Sequence, residues 1–202
     1  MNYNPHGKRI VDLLVGAVLL VLFAPLMACV AALVLASCGR PVLFKQRRPG
    51  LHEQPFVLLK FRTMRDVRDE TGALCPDAER LTRVGRWLRA TSLDELPELA
   101  SIVYGDMSLV GPRPLLEKYL GRYSPEQRRR HEVRPGLTGL AQVSGRNALE
   151  WHRRLALDVE YVDRLSPLMD LRILLRTVTT VLGREGVHQD GQATVEEFRG
   201  ER

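Results

Sequence analysis

Asp94 and Glu95 stand side by side in the stretch SLDELPEL, two residues ahead of Pro97. Adjacent carboxylates can hold a cation, cap a helix or attack an electrophilic phosphorus. Proline is accepted in the first turn of a helix, so Pro97 predicts a helix starting at or just before the acids. There the unpaired amides and the positive dipole end favour ionised carboxylates. Neighbours on a helix point about 100° apart, so the two acids cannot share one proton and each needs its own partner. The plain alternative is capping, since Ser92 and Glu95 fit the S-x-x-E box, although that box leaves Pro97 just beyond the first turn.

The surroundings favour anion chemistry. Lys60, Arg62, Arg89, Arg113, Arg134 and Arg146 all lie in or beside turn-rich segments. Arg113 is held between Pro112 and Pro114, which presents its guanidinium with little loss of backbone freedom. GDMSLVGPRP and RPGLTGLAQVSGRN are glycine-rich stretches with embedded arginines. Such residues suit a phosphorylated ligand with a divalent ion: guanidinium forks take phosphate oxygens, glycines admit backbone amides, and a carboxylate holds Mg²⁺. Neither stretch is a Walker A or dinucleotide fingerprint.

The elements that would carry these residues begin with an apolar run. No charged side chain occurs from Leu13 to Gly39. As a helix this run extends roughly 40 Å, enough to cross a bilayer core of about 30 Å. Lys8 and Arg9 precede it, and Arg40, Lys45, Arg47 and Arg48 follow, so both flanks carry the marks of the cytoplasmic side. Pro25 sits mid-run and removes a helical hydrogen bond. A helix that enters, breaks at Pro25 and returns on the same face satisfies both facts; a straight span kinked at Pro25 is the alternative. LASC, ending at Cys38, looks like a lipoprotein cleavage box, but the run exceeds the usual signal-peptide length.

Behind this segment, PVLFKQRRPG and PFVLLKFRTM predict a β-hairpin across RRPGLHEQP, and DVRDETGALCPDAE predicts a polar loop. RLTRVGRWLRA places Leu81, Val84, Trp87 and Leu88 on one helical face with arginines around the rest, the pattern of an interfacial helix. LLEKYLGRYSPEQRRRHEV is helical in pattern and broken near Ser124-Pro125, and ALEWHRRLALDVEYVDRL and SPLMDLRILLRTVTTVLGREG predict two further helices. The class is α+β, mainly helical with a short β-hairpin: residues 1–40 form a re-entrant membrane unit and 41–202 a catalytic domain with interfacial amphipathic helices.

The 202 residues carry a net charge of +6, which fits anionic lipid, nucleic acid or phosphorylated substrates. Aromatics make up only 6% and the arginines cluster beside acids near turns, so a nucleic-acid partner is not expected. Three cysteines and five histidines show no metal-ligand spacing.

KFRTM, SLDELPEL, GDMSLVGPRP and RPGLTGLAQVSGRN, in this order behind a basic-flanked apolar segment, resemble the bacterial sugar transferases. The likeness runs from about Lys8 to Phe198. It is closest to the small monotopic polyprenol-phosphate phosphoglycosyl transferases, including the Campylobacter N-glycosylation type, which the tail HQDGQATVEEF also resembles.

The resemblance implies transfer of a phosphosugar from a UDP-sugar to undecaprenyl phosphate, with UMP released. It implies Asp94 as the nucleophile of an acyl-phosphate intermediate, and Glu95 as its partner, assisting the acceptor phosphate or helping to hold Mg²⁺. Asp94 is also the expected Mg²⁺ ligand. Lys60, Arg89, Arg113 and Arg146 match basic positions of the phosphate and nucleotide region, and Pro25 matches the helix break. Where the family commonly has serine before that proline, this chain has Ala24. The implied place is the cytoplasmic face of the bacterial inner membrane, against inner-leaflet phospholipids and compatible with a homo-oligomer. No motif names the sugar. The same residues would also serve a metal-dependent phosphohydrolase with water as acceptor.

Overall fold

The structure is a computed structural model and describes residues 5–145, 148–183 and 197–200. Its first element is α1, Pro5–Cys38, one continuous helix that carries Pro25 inside it. The break predicted at Pro25 is therefore not a change of element. A proline removes one backbone hydrogen bond, whereas ending a helix among apolar side chains would strand several polar groups, so continuation is the smaller penalty.

At one end of α1, Arg9 donates to the carbonyls of Ile102 (2.6 Å) and Val103 (3.0 Å), near the C-terminus of α4 (Glu98–Tyr104). Asp12 is buried and accepts from Ser108 Oγ (2.7 Å) and the Leu109 amide (3.1 Å). Lys8 pairs with Asp170 at 2.6 Å. Toward the other end, Val30 and Val34 are buried in a cluster with Phe61 and Leu88. So α1 is seated on one body along its length. Lys8 and Arg9, the basic flank ahead of the apolar run, are both engaged by the protein.

The opposite side of α1 leaves Val18, Val21 and Leu22 exposed, and α8 (Pro167–Gly183) likewise exposes Leu168, Leu171, Leu175 and Val178. Contiguous apolar surface of this kind marks contact with a membrane. With a helix long and apolar enough to cross a bilayer, the chain is membrane-associated.

The predicted hairpin is present as β1 (Leu43–Pro49) and β2 (Pro55–Phe61), antiparallel, with Phe44 opposite Lys60 and Arg48 opposite Phe56. Directly opposed residues share a face, so Lys60, Leu58, Phe56 and Arg48 all point to one side. Phe56 and Leu58 are buried there, which turns both cations toward the interior. The polar stretch after β2 carries one short helix, α2 (Asp77–Arg80). The amphipathic stretch forms α3 (Arg83–Thr91), whose N-cap Thr82 accepts from the Gly85 amide at 2.8 Å. Leu88 is fully buried, whereas Trp87 stays half-exposed.

A second sheet was not foreseen. β3 (Ser108–Val110) and β4 (Gly136–Thr138) pair in parallel, with Ser108 opposite Gly136 and Val110 opposite Thr138. Both lie within the glycine-rich stretches read as loops. The glycines have a steric reason: a Cβ on Gly111 would overlap the Arg134 carbonyl, and one on Gly139 the Gly111 carbonyl. Around this sheet pack Leu99, Ile102, Met107, Leu109, Tyr161 and Ile173.

The segment after β3 forms a 3₁₀ turn, Glu117–Arg122, then α5 (Pro125–Arg128), capped by a Ser124/Gln127 box, and a second turn, Arg129–His131. α6 (Leu140–Val143) and the expected α7 (Trp151–Asp163) follow β4. A separate aromatic cluster gathers Tyr119, Tyr123 and Trp151 around Phe198 from the C-terminal segment, with the Tyr123 and Phe198 rings stacked at 5.6 Å. Most of the tail HQDGQATVEEF lies outside the described residues.

His131 is buried beside Tyr123, 5.8 Å between ring centroids. Burial first, and then the charges of Arg130 and Arg128, push its imidazole down from 6.5 to about 4, against a hydrogen bond with the Gly50 backbone. The neutral form is favoured only in the folded chain, so its contribution to stability is full above pH 6.5 and is lost as pH falls from 6.5 toward 4. This share is about 2 kcal/mol between pH 7.5 and 5. Urea unfolding of the parent and of His131→Gln at both pH values reads it as a difference: on acidification the variant should come out about 2 kcal/mol better than the parent, and identical pH profiles would remove His131 as a source.

Candidate active site

The chain reaches the carboxylates through a reversal. α3 ends at Thr91, and Ser92 adopts a left-handed conformation (φ 56°) as its C-cap. Leu93–Glu95 then form a single 3₁₀ turn, and α4 begins only at Glu98, with Pro97 at its N-cap. The acids thus precede the α-helix rather than open it, and Ser92 makes no capping bond. The capping box is absent because Ser92 is used to turn the chain and Glu95 is bound elsewhere.

Glu95 is fixed by two cations. Lys60 Nζ donates to its Oε1 at 2.6 Å, and Arg113 grips both oxygens, Nη1 to Oε2 at 3.4 Å and Nη2 to Oε1. Burial alone would raise the Glu95 pKa, but Arg113 and Lys60 outweigh it and hold the carboxyl well below the usual range. Lys60 also lies 3.1 Å from Glu98, which is only 1% exposed. Burial, opposed by Lys60 and reinforced by the charge of Glu95, pushes Glu98 up to about 7.

Asp94 differs from both. It is 8% exposed, and among the described residues no side chain hydrogen-bonds or ion-pairs with its carboxylate. Burial and then the charge of Glu95 push its pKa up to about 6, while Lys60, Arg113 and Arg89 draw it down. A carboxylate near enough to three cations to feel them, yet bonded to none, stays ionised at neutral pH and keeps its oxygens available.

The basic residues divide. Lys60, Arg113 and Arg89 surround the acids; Arg89 is oriented by a 3.1 Å bond from its Nε to Thr63 Oγ1. Gly85, one turn earlier on α3, allows that approach, because a Cβ there would overlap the Thr63 carbonyl. Arg62 instead donates to the Arg40 carbonyl at 3.0 Å, tying the end of β2 to the α1–β1 link. Arg134 donates to the Gly105 carbonyl at 2.8 Å, at the opposite end of α4 from the acids. Arg146 lies outside the described residues.

Three contributors escaped the sequence reading. Glu98 carries no local signal that sets it apart from any other acid in the first turn of a helix. Arg130 and Asp158 form a pair buried to 2% each, with Arg130 Nε and Nη2 at 3.0 and 2.8 Å from Asp158 Oδ2. Arg130 also donates to the Arg113 carbonyl at 2.6 Å, so this pair fixes the backbone from which Arg113 reaches Glu95. Only a periodicity placing Asp158 on the inner face of α7, between buried Leu155 and Tyr161, could have singled it out.

Among the described residues, no group of three or more His, Cys, Asp or Glu side chains could hold a metal alone. With Glu95 neutralised by two cations, Asp94 is the one carboxylate of the acid pair left as an oxygen donor. That fits Mg²⁺, which commonly takes one or two carboxylates and completes its shell with substrate phosphates and water.

The chain matches the bacterial sugar transferase family over residues 3–184. It is 51% identical to the uncharacterized sugar transferase EpsL of Bacillus subtilis, covering 96% of each chain. It is 44% identical to a UDP-glucose:undecaprenyl-phosphate glucose-1-phosphate transferase of Caulobacter vibrioides, over 90% of this chain and 72% of that one. It is 42% identical to the exopolysaccharide production protein ExoY of Rhizobium meliloti, over 87% of this chain and 85% of its relative. A match spanning the membrane helix, both carboxylates and the two paired glycine-rich stretches leaves one conclusion: this chain belongs to the bacterial sugar transferase family.

Proposed function

We propose that the protein transfers a sugar phosphate from a UDP-sugar to undecaprenyl phosphate, through a covalent intermediate on Asp94. The observation that carries this reading is the division of labour between the adjacent acids: Glu95 is gripped by Lys60 and Arg113, while Asp94, among the described residues, is bonded to neither of these cations nor to any other side chain. An Asp94 oxygen bonds to the sugar-bearing phosphorus as the bond from that phosphorus to the bridging oxygen breaks, and UMP leaves with the electron pair. An oxygen of undecaprenyl phosphate then attacks the same phosphorus, releasing Asp94 and giving a polyprenyl-diphosphate sugar. Splitting one displacement into two is what a carboxylate nucleophile offers. Lys60, Arg89 and Arg113 offset phosphoryl charge, and Glu95 holds two of them in place. Mg²⁺ bound by Asp94 and the donor diphosphate would supply further charge neutralisation.

The relatives' names support glucose as the first sugar to test and exopolysaccharide assembly as the setting. The protein in detergent with UDP-glucose, undecaprenyl phosphate and Mg²⁺ should release UMP in step with a glucosyl diphospholipid. A panel of other UDP-sugars keeps the test open to a different donor. UMP release without any lipid acceptor over many turnovers would assign a hydrolase instead.

The same reading places the enzyme on one leaflet, at the cytoplasmic face of the inner membrane, where the UDP-sugar is available. A helix seated at both ends on one catalytic body supports entry without crossing. In a variant whose Cys29, Cys38 and Cys75 are replaced by serine, His6→Cys and Arg47→Cys should react with an impermeant thiol reagent from the same side. Opposite-side labelling would mean a true span.

A further inference from the structure

Arg48 takes no part in the chemistry above, yet it is built into the site's edge. The β1–β2 register turns it to the same face as Lys60, four pairs along the hairpin. One of its terminal nitrogens, Nη2, donates to Gln46 Oε1 at 2.6 Å, while its Nε is buried with no partner. Beside it the Tyr123 hydroxyl is also buried, in a residue 8% exposed, with the Arg130 guanidinium against its oxygen and no acceptor for its proton. An unmet donor in a protein interior is expensive and uncommon, and two in adjacent side chains call for a shared acceptor.

The electrostatics agree on the sign of that acceptor. The groups acting on Arg48 include another cation, Arg113, against the single acid Glu98 and the two tyrosines, so burial and then Arg113 push its guanidinium down to about 10. Arg113 is committed to Glu95 and Arg130 to Asp158, which leaves neither acid to Arg48. Positive charge exceeds what the local acids neutralise.

We propose that Arg48 and Tyr123 form a second anion subsite, beyond the residues that surround Asp94, which takes the oxygens of a phosphoryl group. Resting on the transferase reading, that group is either the nucleotide-side phosphate of the donor or the phosphate of the lipid acceptor. A guanidinium offering Nε–H together with a phenolic O–H suits two oxygens of one phosphoryl. It would separate the two charge-bearing ligands, one phosphoryl before Asp94 and the other on Arg48.

Inorganic pyrophosphate serves as a probe independent of turnover. It should raise the melting temperature of the full-length protein in detergent, and Arg48→Gln should weaken its binding roughly tenfold to a hundredfold, the loss of a charge-assisted contact. Tyr123→Phe, which removes one oxygen and keeps the ring in its stack, should weaken binding less but in the same direction. Arg128→Gln, at an exposed ion pair with Glu53, should bind as the parent does.

In turnover, Arg48→Gln should raise KM for one substrate far more than it lowers kcat: a rise for UDP-sugar assigns the donor, and a rise for undecaprenyl phosphate the acceptor. Pyrophosphate binding equal to the parent in both variants, or no binding by the parent, overturns the subsite and points to a bridging water. A parent that binds pyrophosphate through Arg48 but turns over no UDP-sugar retains the subsite and removes the transferase reading.

Discussion

Asp94→Asn is expected to lower turnover by roughly 10³-fold or more, the scale seen when an enzyme loses its nucleophile. The same change should leave stability unaltered or slightly raised. Asp94 makes no bond among the described residues that asparagine would break, and burial already disfavours its charge. The combination is diagnostic, because a structural carboxylate would show the reverse. Incubated with UDP-sugar and Mg²⁺ but without lipid, the parent should gain the mass of one phosphosugar and Asp94→Asn should gain none. Glu95→Gln provides the contrast: it leaves Lys60 and Arg113 facing a neutral amide, so it should reduce both stability and rate. Turnover by Asp94→Asn at the parent's rate would end the covalent proposal.

What the sequence made legible follows from the range of each interaction. The hairpin, α3, α7 and α8 are written in short-range patterns of turn residues and apolar spacing, and they are where those patterns put them. The parallel β3–β4 pair is not, because three-residue strands almost thirty residues apart carry no period of their own. The glycines that looked like loop markers are the places where two backbones touch. Within the site, SLDELPEL announced its acids but not their difference. That Glu95 is bonded and Asp94 is not depends on Lys60 from β2 and Arg113 from the turn after β3, contacts invisible locally. Arg62 and Arg134 show the converse, being arginines beside turns whose donors serve backbone carbonyls rather than the acids. Charge near a turn identified candidates; only three-dimensional contact separated the cations around the acid pair from structural ties.

The second large effect lies on no surface that a substrate could reach. Asp158→Ala should destabilise the protein by about 3–5 kcal/mol, because it leaves the Arg130 guanidinium buried without its anion. Burial raises the Asp158 pKa and Arg130 opposes it, the expected tension of an ion pair sealed from water. Two consequences can be separated. Replacing both partners by apolar residues of similar size, Arg130→Met with Asp158→Leu, should restore much of the stability, since the uncompensated charge is gone. It should not restore the rate. The Arg113 carbonyl would lose its 2.6 Å donor, and with it the backbone anchor that sets the angle at which Arg113 meets Glu95. Urea unfolding and kcat measured on the same preparations distinguish the two roles. Recovery of both in the double variant would mean that the pair only fills space, whereas recovery of stability alone would show it acting through Arg113 on the acid pair.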